Sequence, residues 1–246
     1  MKRLIRIVDF ETTGLDPRVD RICEVATIDV TISGLNEQEG GLAKAVPLIF
    51  ERGEMWSTLV DPEKPISVEA MGCHDITDKM VVGKPKFLTL VERLNASPPN
   101  AYCAHNSRFD QSFFNSDGIP WLDTYRLALW LWPEAPSHKL NCLRYYLKLK
   151  LAPPADLAQR AHSAAWDAYL CAAVLRRCCM EGASWEDMLA VSNEPAVLPR
   201  LHFGKWAGKP VAEISADYLE WMLKQGDMDA DAKHTAMVEL QRRRDA

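Results

Sequence analysis

The apolar run Leu4-Ile5-Arg6-Ile7-Val8 predicts a short β-strand. Continued in extended form, it carries Asp9 and Glu11 onto one face, because side chains two apart on a strand point the same way. Residues 21–32 repeat a β-branched, alternating pattern and predict a second strand, the hairpin partner of the first across a turn at Leu15-Asp16-Pro17. Residues 34–54, with glycines at 34, 40, 41 and 53, show no clear period and predict a loop or irregular extra hairpin before a strand at 55–60. Pro62, Pro65 and Ser67 lead into a short helix ending near Gly72, followed by His74-Asp75-Ile76-Thr77. Helical spacing over 87–94 precedes a short buried strand at 101–104.

That strand stops at a polar cluster, His105-Asn106-Ser107-Arg108-Phe109-Asp110, where a helix begins. Asn106 or Ser107 is its predicted N-cap, Phe109, Phe113 and Phe114 its buried side, and Asp110 projects from its first turn. Residues 124–132 and 140–149 predict two more amphipathic helices. Ser163 caps another that runs to about Cys179, with Ala168, Ala172, Leu175 and Cys179 as its buried stripe. Asp167 then lies one turn in, with His162 just before the start. A short helix capped by Ser184 reaches about Ser192, and 194–199, with prolines at 195 and 199, has linker character.

Composition changes this picture little. With 246 residues, 48% hydrophobic and 26% charged, the chain is an ordinary globular sequence with room for one α/β domain of about 180 residues plus something small. The net charge of -5 argues against a general polyanion binder, although an acidic metal site neutralised by bound cations would account for part of it. Arg6 and Asp9 interrupt any signal-peptide core, and the seven cysteines form no C-x-x-C pair and lie mostly in apolar patterns, as reduced core thiols do. A cytoplasmic protein without membrane partners is expected.

The acids matter more. Like charges as close as Asp9 and Glu11 raise each other's pKa unless a cation sits between them, which points to a divalent metal at the carboxyl end of a strand. An exposed acidic strand end running into a turn fits the octapeptide equally well. Asp110 adds a third acid where a strand meets a helix, the crevice in which α/β sheets usually place their sites. Glu24 either faces that acidic site or sits at an edge, and the edge position is the expectation.

Taken together, Asp9-x-Glu11, Asp110 after Ala104-His105-Asn106, and His162 with Asp167 five residues on resemble the DEDDh branch of the DEDD 3′–5′ exonuclease superfamily, the proofreading-exonuclease-like enzymes. Thr12-Thr13-Gly14-Leu15 and Phe109 agree with it, and the likeness spans about residues 3–180. The tail His202-Phe203-Gly204-Lys205-Trp206-Ala207-Gly208-Lys209-Pro210 is similar to the C-terminal segment of the bacterial exodeoxyribonuclease X branch. The irregular 34–54 insertion departs from compact members of the family. The resemblance implies an α/β, RNase H-like fold, a mixed five-stranded sheet flanked by helices, with a small C-terminal extension. It implies an exonuclease domain at 1–182, a short helix and linker at 183–200, and a small module at 201–246. It further implies two Mg²⁺ ions, for which Mn²⁺ can substitute, with Asp9 bridging, Glu11 and Asp167 completing one site and Asp110 the other. His162 would be the general base, Thr13 and Leu15 would meet the terminal nucleotide, and His74 and Asn106 would contact the strand.

In the tail, Arg200, Lys205 and Lys209 interleave with Phe203 and Trp206, the composition of a single-strand contact. A small packing module with Trp206 and Trp221 in its core is the alternative. The expected function is release of nucleoside monophosphates from DNA 3′ ends, on single strands or duplexes, in repair or end trimming. An exoribonuclease has the same motifs, and a non-catalytic polymerase-associated subunit is the rival of another class. Oligomeric state is not encoded in these patterns.

Overall fold

The computed structural model describes residues 2–34, 49–154, 157 and 163–245. Five strands form one mixed sheet in the order β3-β2-β1-β4-β5, with β1 Lys2–Thr12, β2 Ile22–Ser33, β3 Ile49–Leu59, β4 Ala101–Ala104 and β5 Trp121–Asp123. β1, β2 and β3 run antiparallel in succession, and β4 and β5 extend the other edge in parallel. This is the sheet expected from the sequence, although the short β5 carries too few residues to show a period. Residues 49–54, read as part of a loop, belong to β3, where the register shifts between Ile28 and Val30. The rest of that expected insertion, 35–48, lies outside the described residues.

The helices are α1 Val68–His74, α2 Asp78–Val81, α3 Phe87–Asn95, α4 Ser107–Phe113, α5 Thr124–Leu131, α6 Leu140–Tyr146, α7 Ala164–Met180, α8 Trp185–Asn193, α9 Ala216–Lys224 and α10 Ala230–Arg244. Alternation along β1 divides the core. Ile5 and Ile7 face a cluster built with α5, α6, α7 and α8, while Val8 and Phe10 face a second cluster with α3, Phe114 and Trp121. The period of two therefore sends Asp9 and Glu11 to the α7 side, as continuations of the Ile5–Ile7 stripe. Alanines at 164, 165, 168 and 172, all buried, let α7 lie close against that face. None of the described helices is long and apolar enough to cross a membrane.

The C-terminal part differs from a module on a linker. α8 begins with a Ser184–Asp187 capping box and buries Trp185 and Met188 in the main core, and its Ser192 hydroxyl accepts from the Asp123 amide at 2.8 Å. The segment after it is stitched down through Ala196 N–H to Asp231 Oδ1 at 2.9 Å and Leu198 N–H to Thr235 Oγ1 at 2.8 Å. Residues 201–240 then gather their own apolar cluster around Leu201, Ile214, Leu219, Met222 and Ala236.

Candidate active site

The crevice at the carboxyl end of β1 collects acids from three elements. Asp9 and Glu11 are half-buried on β1, Asp110 is buried in the first turn of α4, and half-buried Asp167 stands in the first turn of α7. Burial pushes the Asp9 carboxyl well above its ordinary range, and the charges of Asp110, Glu11 and Asp167 push it further. Glu11 is pushed up to about 8 by burial and by the charges of Glu24 and Asp167. Asp110 is also raised, chiefly by burial, against hydrogen bonds from its own amide and that of Phe10 that favour its charged form. Asp9 thus feels all three other acids, Asp110 most, and Glu11 feels Asp167 in turn.

Such a donor set fits a hard divalent cation, which takes carboxylate oxygens and removes their mutual repulsion. Among the described residues no three acids, histidines or cysteines close around one point. A cavity of about 590 Å³ bordered by Arg52, Lys148, Lys150 and Arg176 lies at the other end of the sheet, and none of these acids lines it.

The turn after β1 is held by Asp20. Its Oδ2 accepts from the Asp16 amide at 3.0 Å, and its Oδ1 meets the Thr13 hydroxyl at 2.9 Å and Lys64 Nζ at 3.0 Å. A Cβ on Gly14 would stand 2.4 Å from Asp20 Oδ2, so glycine serves here by allowing close approach of this carboxylate. Leu15 is 83% exposed at the tip of this turn. Thr13 is turned inward: its hydroxyl bonds Asp20, its N–H donates to Arg21 O at 2.8 Å and its carbonyl accepts from Ser67. These bonds leave no Thr13 N–H for a nucleotide.

His74 is likewise withdrawn. It is buried, its Nδ1 accepts from the Ile76 amide at 3.1 Å and its Nε2 lies 3.2 Å from the Thr12 carbonyl, so the neutral ring pins the backbone beside Glu11 instead of reaching a strand. Burial holds its pKa below the ordinary histidine range, consistent with that neutral tautomer. Asn106 keeps an exposed side chain at a left-handed position, φ 70°, and does not cap α4 with it. His162 lies outside the described residues.

Two acids do work that was not assigned to them. Asp123 is fully buried at the end of β5, and its carboxylate receives the amides of Asn106 and Ser107 at 3.0 Å and of Tyr125 at 2.9 Å. It therefore caps both α4, which carries Asp110, and α5. An aspartate just before the predicted helix at Thr124 is an N-cap signal that could have found it. Glu24 is the other. It stands opposite Glu11 in the hairpin, 6% exposed, and its Oε2 accepts from Ala164 N–H at 3.0 Å. The edge position expected for it is wrong, because register could not be counted without the turn geometry.

In the tail, Lys205 and Lys209 are exposed, whereas Trp206 is half-buried against the module's apolar cluster, its ring 6.3 Å from that of Tyr218. Lys205 Nζ lies 5.9 Å and 5.2 Å from the centres of those two rings.

Comparison with known proteins agrees with this geometry. Exodeoxyribonuclease 10 of Escherichia coli K12 is 30% identical over 229 residues, covering 91% of this chain and 92% of the relative. DNA polymerase III subunit epsilon of Treponema pallidum is 28% identical over 66% of this chain and 70% of its own length. A solved structure described as exonuclease X in complex with 5′ overhanging duplex DNA superposes with a TM-score of 0.61 at 29% identity, covering 77% of this chain and 99% of that one. The architecture shared with these neighbours is RNase H-like, and the family generally uses divalent metal ions. Residues 7–175 match the sequence model of the exonuclease family of RNase T type, and with that span of the crevice and its supporting sheet inside the match, the chain belongs to this family.

Proposed function

We propose that this chain is a metal-dependent 3′–5′ exodeoxyribonuclease that hydrolyses nucleoside monophosphates from DNA 3′ ends, with a role in repair or end trimming. The observation that carries it is the convergence of Asp9, Glu11, Asp110 and Asp167 in one crevice, where the charges acting most on Asp9 and Glu11 are all negative. The full-length likeness to exodeoxyribonuclease 10 supports DNA as the substrate.

Two Mg²⁺ ions, replaceable by Mn²⁺, would be held by Asp9 between them, by Glu11 and Asp167 on one side and by Asp110 on the other. When bound, such ions offset the phosphate charge, acidify the attacking water and stabilise the leaving oxygen. His162, two residues before Ala164 in the sequence, would take the proton from the attacking water; an unperturbed imidazole pKa of about 6.5 suits this near neutrality. Asp123 keeps α4 and hence Asp110 in place. Leu15 wedges against the terminal base, and Asn106 contacts the strand. Lys205 and Lys209 bind phosphates farther along, while Trp206 mainly anchors the segment that presents them. Thr13 and His74 act through the loop and the β1 backbone.

Oligomers of one sequence, as DNA and as RNA and labelled at either end, test this in Mg²⁺. DNA should be shortened from its 3′ end to mononucleotides. Preferential digestion of RNA would make the protein an exoribonuclease, and inertness of the folded protein even in Mn²⁺ would return it to a non-catalytic role.

A further inference from the structure

We infer that Glu24 is a positioning residue for the catalytic carboxylates: from β2 it ties down the first residue of α7 and so sets where Asp167 stands relative to Glu11. This rests on reading those acids as metal ligands.

The place that Glu24 occupies is unfavourable for an acid. On the same face of β2, Ala26, Ile28, Val30 and Ile32 are fully buried apolar residues. Glu24 continues that stripe at 6% exposure, directly across from Glu11. Like charges opposite one another on a sheet are destabilising, and burial of a carboxylate adds to the cost. What it meets is a helix start. The first amides of a helix have no intrahelical acceptor. Ser163 serves Trp166 N–H at 3.3 Å, and Glu24 Oε2 serves Ala164 N–H at 3.0 Å. A side-chain oxygen placed there satisfies a donor that the helix itself leaves open.

The consequence is geometric. Ala164 and Asp167 are three residues apart, so they share one face of α7. Fixing Ala164 to the strand next to Glu11 fixes the rotation and height of the turn that carries Asp167. Removing that tie should let the turn fray in a crevice whose acids already repel one another. Partners that orient metal-binding side chains are typically worth 10- to 100-fold in metal affinity or activity when lost.

Three full-length variants separate this from a simple packing role. Glu24→Gln keeps an acceptor of the same reach without the charge; Glu24→Asp keeps the charge but is one methylene short; Glu24→Ala has neither. Three readouts apply: amide hydrogen exchange at Ala164 in metal-free protein, calorimetric Mn²⁺ binding without substrate, and the kcat–KM split on a DNA oligomer. Glu24→Asp and Glu24→Ala should speed Ala164 exchange about tenfold or more, weaken Mn²⁺ binding about 10- to 100-fold and lower kcat with KM little changed. Glu24→Gln should stay close to wild type in all three. If Glu24→Ala does not fold, the Gln and Asp pair decides. Wild-type Mn²⁺ affinity in Glu24→Asp, or a folded Glu24→Gln as impaired as it, overturns the proposal. Failure of the underlying reading looks different, because wild-type protein itself would then bind no Mn²⁺.

Discussion

In the crevice, Glu11 is pushed up to about 8 by burial and by other carboxylates, whereas in the C-terminal module Arg242 and Arg243 hold Glu239 down at about 2. Both regions carry acids with restricted exposure, and they differ in what compensates them. Glu239 receives Arg242 Nε and Arg243 Nε at 2.7 Å. At the junction between module and core, Arg126 is 3% exposed, with one guanidinium nitrogen 2.8 Å from both oxygens of Asp231 and another donating to the Glu194 carbonyl. Acids supplied with arginines by the chain hold the fold together. Acids raised by burial and by one another have no such partner among the causes acting on Asp9 and Glu11, the pattern expected where a cation from solution is to compensate them.

Removing an acid from the crevice and an arginine from the module's junction should therefore have opposite effects on stability. Asp9→Ala and Asp167→Ala should each reduce nuclease activity to background while leaving the melting temperature unchanged or raised, since repulsion is relieved. Near-normal turnover in Mg²⁺ by either variant would break the comparison on the crevice side. His162→Ala should lower kcat by roughly 10²–10⁴ with Mn²⁺ binding largely kept, the usual range for a lost general base. A change confined to KM would assign it to binding instead.

On the other side, Arg126→Ala takes from Asp231 its buried guanidinium partner, leaving it the Ala196 amide and the more exposed Arg108, and opens the junction. Breaking a buried pair at one end costs about 3–5 kcal/mol, readable as a lowered urea midpoint. A loss under about 1 kcal/mol, as at surface pairs, would show that the module is only loosely attached.

Titration sharpens the contrast. The folded chain holds the Glu11 proton more tightly than the unfolded chain does, so stability from this group is present at low pH and is lost as pH rises from the ordinary glutamate range through about 8. Asp9 and Asp110 act in the same direction. Glu239 has the opposite sign, its contribution being present above the ordinary range and lost as pH falls toward about 2. In EDTA the melting temperature should fall between about pH 5 and pH 8, and Mn²⁺ should flatten that fall. A flat or rising profile without metal would contradict the crevice assignment.

The smallest effect belongs to the exposed tail lysines. Neutralising Lys205 and Lys209 should weaken DNA affinity without changing saturated kcat. On single strands it should also flatten the salt dependence, by about 0.7 for each phosphate that a lysine ceases to neutralise. Unaltered salt dependence would make the module a packing element alone.

Much of this was legible in local pattern. Alternation in β1 put Asp9 and Glu11 on one face, Ser163 announced α7, and the stripe Ala168, Ala172, Leu175 and Cys179 is buried as its spacing predicts. These features are encoded within a turn or two of the chain, where the period alone decides the side. What tertiary structure decided is partnership across distance. Strand register set Glu24 against Glu11 and brought it to an amide 140 residues away. Packing consumed Thr13 and His74, which the motif alone assigned to the substrate. Asp123 replaced the Asn106 side chain as the cap of α4, and Asp231, 105 residues from Arg126, made the C-terminal module part of the core's support. Such contacts have no periodic signature, because a buried polar group takes whichever complementary donor or acceptor the assembled fold carries to it.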